Sequence, residues 1–82
     1  MNMKLNVIHL LFCLFQEQEN YSILSYESID EFYSRLGYDL ESEWLLRDLG
    51  INGTSDLLEL LTDYNNLLEN EITKAVFSDK WL

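Results

Sequence analysis

Few side chains in this sequence of 82 residues are of a type, and at a spacing, that could bind a metal ion or catalyse a reaction. His9 and Cys13 are four residues apart, so a helix would place them on one face, where imidazole and thiolate are common zinc ligands. They are the only histidine and the only cysteine of the sequence, and two ligands alone do not complete a metal site. A nucleophile activated by His9 would also need an orienting acid, and none is evident. We therefore expect no metal, no cofactor and no enzymatic activity.

Acidic side chains make the most pronounced pattern. The sequence has 15 acidic and 5 basic residues, a formal net charge of −10, and between Asp39 and Glu71 only Arg47 is basic. A surface so one-sided repels itself, and contact with a partner rich in lysine and arginine would relieve the repulsion. The alternative is a solvated face that keeps the protein soluble. The acids expected to steer a partner are Asp39, Glu41, Glu43, Asp56, Glu59 and Asp63, of which the last three share a helix face.

Three aromatic residues lie close to these acids in the sequence, namely Tyr38, Trp44 and Tyr64. Buried aromatic anchors dominate the energetics of protein interfaces, whereas charges at the rim mainly set the association rate. The three residues are therefore candidate anchors for a partner, although each also suits the hydrophobic core.

Charge and composition exclude several classes of protein. A net charge of −10 repels nucleic acid and anionic lipid. The apolar run from Leu5 to Phe15 is shorter than the roughly 20 residues that span a bilayer, and no small-residue cleavage site of a signal peptide follows it. One cysteine cannot form an intramolecular disulfide and fits a reducing compartment. We therefore expect a cytoplasmic protein whose partner is a basic protein, with neither nucleic acid nor membrane.

Hydrophobic periodicity predicts two helices in the first half of the chain. The first covers residues 3–18 and is apolar over most of its circumference. The second begins at a capping box formed by Ser28 and Glu31, and it ends at Leu36, with Gly37 as a left-handed C-terminal residue. The residues expected to face the core are Leu5, Ile8, Leu11, Phe12, Leu14 and Phe15 in the first helix, and Ile29, Phe32, Tyr33 and Leu36 in the second.

The second half of the chain predicts one long helix, over residues 56–70, capped by Thr54 or Ser55. Residues 38–47 suit either a short helix or a packed loop, and a short closing helix or extended segment follows Glu71. The long helix should bury Leu57, Leu60, Leu61, Tyr64, Leu67 and Leu68. Together these elements predict one all-α domain over residues 1–82, a small bundle of three to four helices.

The stretch Asp48-Leu49-Gly50-Ile51-Asn52-Gly53, followed by an acidic amphipathic helix, resembles the acyl-carrier pattern Asp-Leu-Gly-x-Asp-Ser-Leu. Gly53 stands where a carrier has its modified serine. The stretch is more similar to a bacterial acyl-carrier-like group in which Gly-Asp-Asp replaces the serine turn, although Thr54 and Ser55 stand where that group has two acids. The resemblance covers residues 48–72, and the N-terminal half is similar only as a helix followed by a long loop.

This resemblance implies a carrier-like topology in which the helix after the loop presents acids to basic partners. It implies no prosthetic group, because Gly53 has no hydroxyl. Thr54 and Ser55 are displaced by one or two positions, and each position rotates a side chain by about 100° around a helix. We therefore expect these two hydroxyls to cap the helix.

Two functions fit these observations. The first is an inhibitor or immunity-type protein that covers the basic surface of a toxin, above all a nuclease, whose cleft is positive because its substrate is a polyanion. The alternative is a degenerate acyl-carrier-like protein that docks on a lipid or polyketide enzyme without carrying a group. A third possibility is a structural subunit that self-associates through its apolar first helix.

Overall fold

The computed structural model describes residues 3–18 and 23–82, without the side chain of Leu40. Over these residues the chain forms five α-helices and one 3₁₀ turn, and no strand. The elements are α1 (Met3–Glu17), α2 (Tyr26–Gly37), α3 (Leu40–Asp48), α4 (Thr54–Glu69), the 3₁₀ turn Glu71–Thr73 and α5 (Lys74–Trp81). The prediction of a small all-α bundle is confirmed.

The α3 helix decides the question left open for residues 38–47. Asp39 is its N-cap, and the Asp39 carboxylate accepts a hydrogen bond of 3.0 Å from the backbone N–H of Glu41. This bond satisfies one of the amides that the first turn of a helix leaves without a partner. Leu46 is buried, so the helix also contributes to the core.

The α4 helix is the central element, since it packs against α1, α2 and α5. Leu57, Leu60 and Leu61 are fully buried, and Tyr64 is 5% exposed. Leu68, which was expected in the same buried stripe, is 54% exposed because it lies one turn beyond Tyr64, the last buried residue of α4. The other core residues are Ile8, Leu11, Phe12 and Phe15 of α1, Ile29, Phe32 and Leu36 of α2, and Leu46, Leu49, Ile51 and Phe77.

The capping box of α2 lies three residues earlier than expected. Ser25 is the N-cap; its hydroxyl accepts a hydrogen bond of 3.2 Å from the Ser28 N–H, and the Ser28 hydroxyl accepts one of 3.2 Å from the Ser25 N–H. Glu31 instead pairs with Arg35, one turn further along. The prediction for Ser28 was wrong because a second serine, one helical turn earlier, provides the same chemistry.

Two predictions about glycines and caps were also wrong. Gly37 is the last residue of α2 and has no left-handed conformation; among the described residues, Gly50 alone has a φ in the left-handed region, +76°. Gly53 is the N-cap of α4, and no side chain caps this helix.

Thr54, which was expected to cap α4, is already part of the helix. Its hydroxyl donates a hydrogen bond of 2.5 Å to the Asp30 carboxylate, which joins α4 to α2. Asp56 reaches back to accept from the Asn52 N–H at 2.9 Å.

The burial of α4 yields a matched test. Leu60→Ala should lower the free energy of unfolding by about 2–5 kcal/mol, because it leaves a cavity at a fully buried position. Leu68→Ala, the same substitution two turns later, should change it by less than about 0.5 kcal/mol. Urea unfolding followed by circular dichroism measures both. Equal effects would show that Leu68 is covered in solution.

Candidate functional site

The exposed face of α3 combines one large aromatic side chain with two acids. Glu41, Trp44 and Asp48 follow the spacing i, i+3, i+7, and all three are exposed, Trp44 to 64%. Leu46, on the opposite side of the helix, holds α3 to the core. Within the described part of the chain, no salt bridge involves Glu41 or Asp48. We call Glu41, Trp44 and Asp48 the α3 surface.

The neighbours of the α3 surface define its edges. Tyr38, in the turn before α3, is 92% exposed. Arg47 forms a salt bridge of 3.1 Å with Glu43. Its guanidinium also lies 5.9 Å from the centroid of the Trp44 ring, so the same cation makes a cation–π contact with Trp44. Asp39 therefore caps the helix and Glu43 is partly neutralised, whereas Glu41 has no salt bridge to any residue that the structure describes.

An apolar groove of about 420 Å³ runs beside the α3 surface, between α1 and α3. Val7, Leu45 and Leu49 provide its apolar wall, and Asp48 belongs to both the groove and the α3 surface. Apolar pockets with a few polar groups at the rim are typical of binding sites. The groove is lined by Met3, Lys4, Val7, Leu45, Asp48 and Leu49.

The second predicted row of acids lies along α4 and has partners within the chain. Lys80 of α5 forms salt bridges with Glu59 and with Asp63, the latter at 3.0 Å. These two carboxylates raise the pKa of Lys80, which keeps the ammonium charged. The Asp63 carboxylate also accepts a hydrogen bond of 3.0 Å from the Trp81 indole N–H. Glu59 and Asp63 thus join α4 to α5, which the sequence did not indicate because Lys80 is 21 and 17 residues away.

Tyr64 does not lie on the surface as an anchor would need. It is 5% exposed, and its ring packs edge-on to Phe12, with centroids 5.3 Å apart, and against Phe77 at 5.9 Å. Burial, and to a lesser extent the Cys13 thiol, raises the pKa of the Tyr64 hydroxyl. The expectation that Tyr64 anchors a partner is therefore corrected: the residue belongs to the core.

The Tyr64 hydroxyl belongs to a chain of three polar side chains that the sequence did not reveal. It lies 2.6 Å from His9 Nδ1, and His9 Nε2 lies 3.5 Å from Cys13 Sγ. In one tautomer Tyr64 donates to Nδ1 and the Nε2 proton faces sulfur; in the other, Nδ1 donates to the Tyr64 oxygen and Nε2 accepts from the thiol. The spacing of His9 and Cys13 was visible in the sequence, whereas the contact across 55 residues to Tyr64 was not.

The described residues contain no group of three or more histidine, cysteine, aspartate or glutamate side chains arranged to hold a metal ion. None of the helices that they form is long and apolar enough to cross a membrane.

Comparison of the chain with protein-family models, with curated proteins and with solved structures gave no match. The resemblance to acyl carrier proteins therefore rests on residues 48–72 alone. In that resemblance a long loop follows the first helix, whereas α2 and α3 occupy this part of the described chain.

The role of Asp63 in docking α5 can be tested with one substitution. Asp63→Asn should weaken the hydrogen bond from the Trp81 indole by about 1 kcal/mol, because its acceptor loses its charge. The expected result is a lower urea midpoint and a red shift of Trp fluorescence as Trp81 becomes more exposed. Asp79→Asn is the control, since Asp79 is an exposed acid of α5 that forms no salt bridge with the described residues. Identical behaviour of the two variants would contradict this role.

Burial of Tyr64 predicts a loss of stability in alkali. Because the pKa of Tyr64 is higher in the folded chain than in the unfolded one, the unfolded chain loses this proton first as pH rises above about 10. The free energy of unfolding should therefore fall with pH in this range. Tyr64→Phe, which has no such proton, should show a smaller fall when urea unfolding is measured at a series of pH values. Parallel curves would mean that the hydroxyl is not buried in solution.

Proposed function

We propose that this chain is a non-enzymatic, acidic protein-binding domain that covers a basic surface of its partner. The form we favour is an inhibitor or immunity-type protein directed against a toxin such as a nuclease. The observation that carries the proposal is the α3 surface, where Trp44 is 64% exposed between Glu41 and Asp48 and no salt bridge with the described residues neutralises the two acids.

The exposed ring of Trp44 supplies binding free energy in this proposal. An indole ring in water gains free energy when a partner buries it, at about 25 cal/mol per Å² of apolar surface. Tryptophan is the residue type most enriched among interface hot spots, and tyrosine is also enriched. Tyr38 supplies a second exposed ring near the start of α3, and the α1–α3 groove can receive an apolar side chain of the partner.

The net charge of the protein affects the rate of association. A net charge of −10 on 82 residues attracts cationic surfaces at long range, and it can raise association rates by roughly 10–1,000-fold at low salt. The cleft of a nuclease is positively charged because it binds a polyanion, so it is a natural target for such a field. A cytoplasmic location fits an inhibitor that protects the cell that makes the toxin.

The binding residues in this proposal differ from those expected from the sequence. Glu59 and Asp63 are occupied by Lys80, and Asp56 accepts a backbone hydrogen bond. These acids add to the overall field, whereas Glu41 and Asp48 of the α3 surface form no salt bridge with the described residues. Steering therefore falls mainly to Glu41 and Asp48, with Asp39 and Glu43 beside them.

The test begins with capture of the partner from the native host at low salt and its identification by mass spectrometry. Trp44→Ala should then weaken binding by about 2 kcal/mol or more, mainly through faster dissociation. The double variant Glu41→Gln/Asp48→Gln should slow association and reduce its salt dependence. Surface plasmon resonance at several salt concentrations separates the two effects.

A matched control has the same change in net charge at another place. Glu69→Gln/Glu71→Gln neutralises two exposed acids, one at the last residue of α4 and one at the first residue of the 3₁₀ turn, both well beyond α3 in the sequence. If both double variants slow association equally, the whole field steers the partner and the α3 surface has no special role. Recovery of a synthase or acyltransferase instead of a basic toxin would replace the inhibitor function by the carrier-like one.

A further inference from the structure

The His9–Cys13–Tyr64 chain lies on α1 and α4 and has no part in the α3 surface. His9 is exposed and Cys13 is half-buried, so ions in solution can reach both. Their ligand atoms, Nε2 and Sγ, are 3.5 Å apart. The i, i+4 spacing on α1 sets this distance, because it stacks the two side chains on adjacent turns of a rigid helix.

The separation of these two atoms matches that of two ligands on one tetrahedral zinc ion. With Zn–S near 2.3 Å, Zn–N near 2.0–2.1 Å and a tetrahedral angle between them, sulfur and nitrogen are about 3.5 Å apart. A metal ion can therefore take the place of the proton shared by Cys13 and His9 without a change in the helix.

Tyr64 provides the support that metal-bound histidines require. Such a histidine almost always donates the proton of its other ring nitrogen to a fixed acceptor, which selects the tautomer and the ring orientation. The Tyr64 oxygen lies 2.6 Å from Nδ1, so an Nδ1–H donor leaves the lone pair of Nε2 directed towards Cys13. Phe12 and Phe77 hold the Tyr64 ring in place.

The sequence predicted no metal, because His9 and Cys13 are only two ligands. From the geometry we propose that they form an open site for Zn²⁺ or a chemically similar divalent ion, in which water completes the coordination. Binding replaces the thiol proton by the metal: the Cys13 S–H bond breaks, an S–metal bond forms, and the proton leaves to solvent. Affinity should therefore rise with pH. The net charge of −10 raises the local concentration of cations around the site.

Co²⁺ is the probe for this site, because a cobalt–thiolate bond gives a charge-transfer band in the near ultraviolet that carboxylates do not give. We expect the band to saturate at one ion per chain. Cys13→Ser and His9→Gln should each abolish it at the same Co²⁺ concentration. Tyr64→Phe should weaken binding by about 10-fold or more, since it removes the group that orients His9. Glu69→Gln, which removes an exposed acid of α4, should leave the titration unchanged.

A second measurement does not depend on cobalt. Zn²⁺ should slow the alkylation of Cys13 by iodoacetamide in the wild-type protein and should have no effect in His9→Gln. Circular dichroism of each variant checks that the fold is retained. The proposal is overturned if the band is absent, if it persists in His9→Gln, or if saturation occurs at one ion for two chains, which would mean that a second copy closes the site. None of these outcomes bears on binding through the α3 surface.

Discussion

The fold depends on the burial of one side of α4. This helix has fully buried leucines at positions 57, 60 and 61, and it packs against α1, α2 and α5. The helices α1, α2 and α5 pack directly against α4, and α3 packs against α2. The Thr54–Asp30 hydrogen bond fixes the beginning of α4 to α2, and Lys80 fixes α5 to the middle of α4. The positions of Trp44 and of His9 are both consequences of this packing.

The features that could be predicted from the sequence are those set by residues close together in it. Periodicity predicted α1, α2, α4 and most of the core, since a buried stripe is a property of one helix. Caps were predicted less well: Ser25 and Ser28 offer the same hydroxyl one turn apart, and the choice depends on whether Tyr26 and Glu27 become helical. Leu68 was misplaced for a related reason, because periodicity gives the face of a residue and not how far along the helix the neighbouring helices extend.

The candidate site was harder to predict because it depends on contacts between distant residues. Periodicity placed Tyr64 in the buried stripe, yet its proximity to acids also made it a candidate anchor, and packing against Phe12 and Phe77 decides for the core. The acidic face of α4 seemed uncompensated because Lys80 comes from beyond the acidic stretch. The exposure of Trp44 could not be deduced either, because residues 38–47 suited a packed loop as well as a helix.

During translation, α4 is synthesised after α1, α2 and α3. While the ribosome adds residues in order, α1 and α2 emerge before α4, the helix against which both pack. Phe12 therefore lacks its contact with Tyr64 until α4, which ends at Glu69, has left the exit tunnel. Exposed apolar segments of nascent chains are prone to aggregate and to bind chaperones. The apolar α1 is therefore the segment that a chaperone would hold until α4 has emerged.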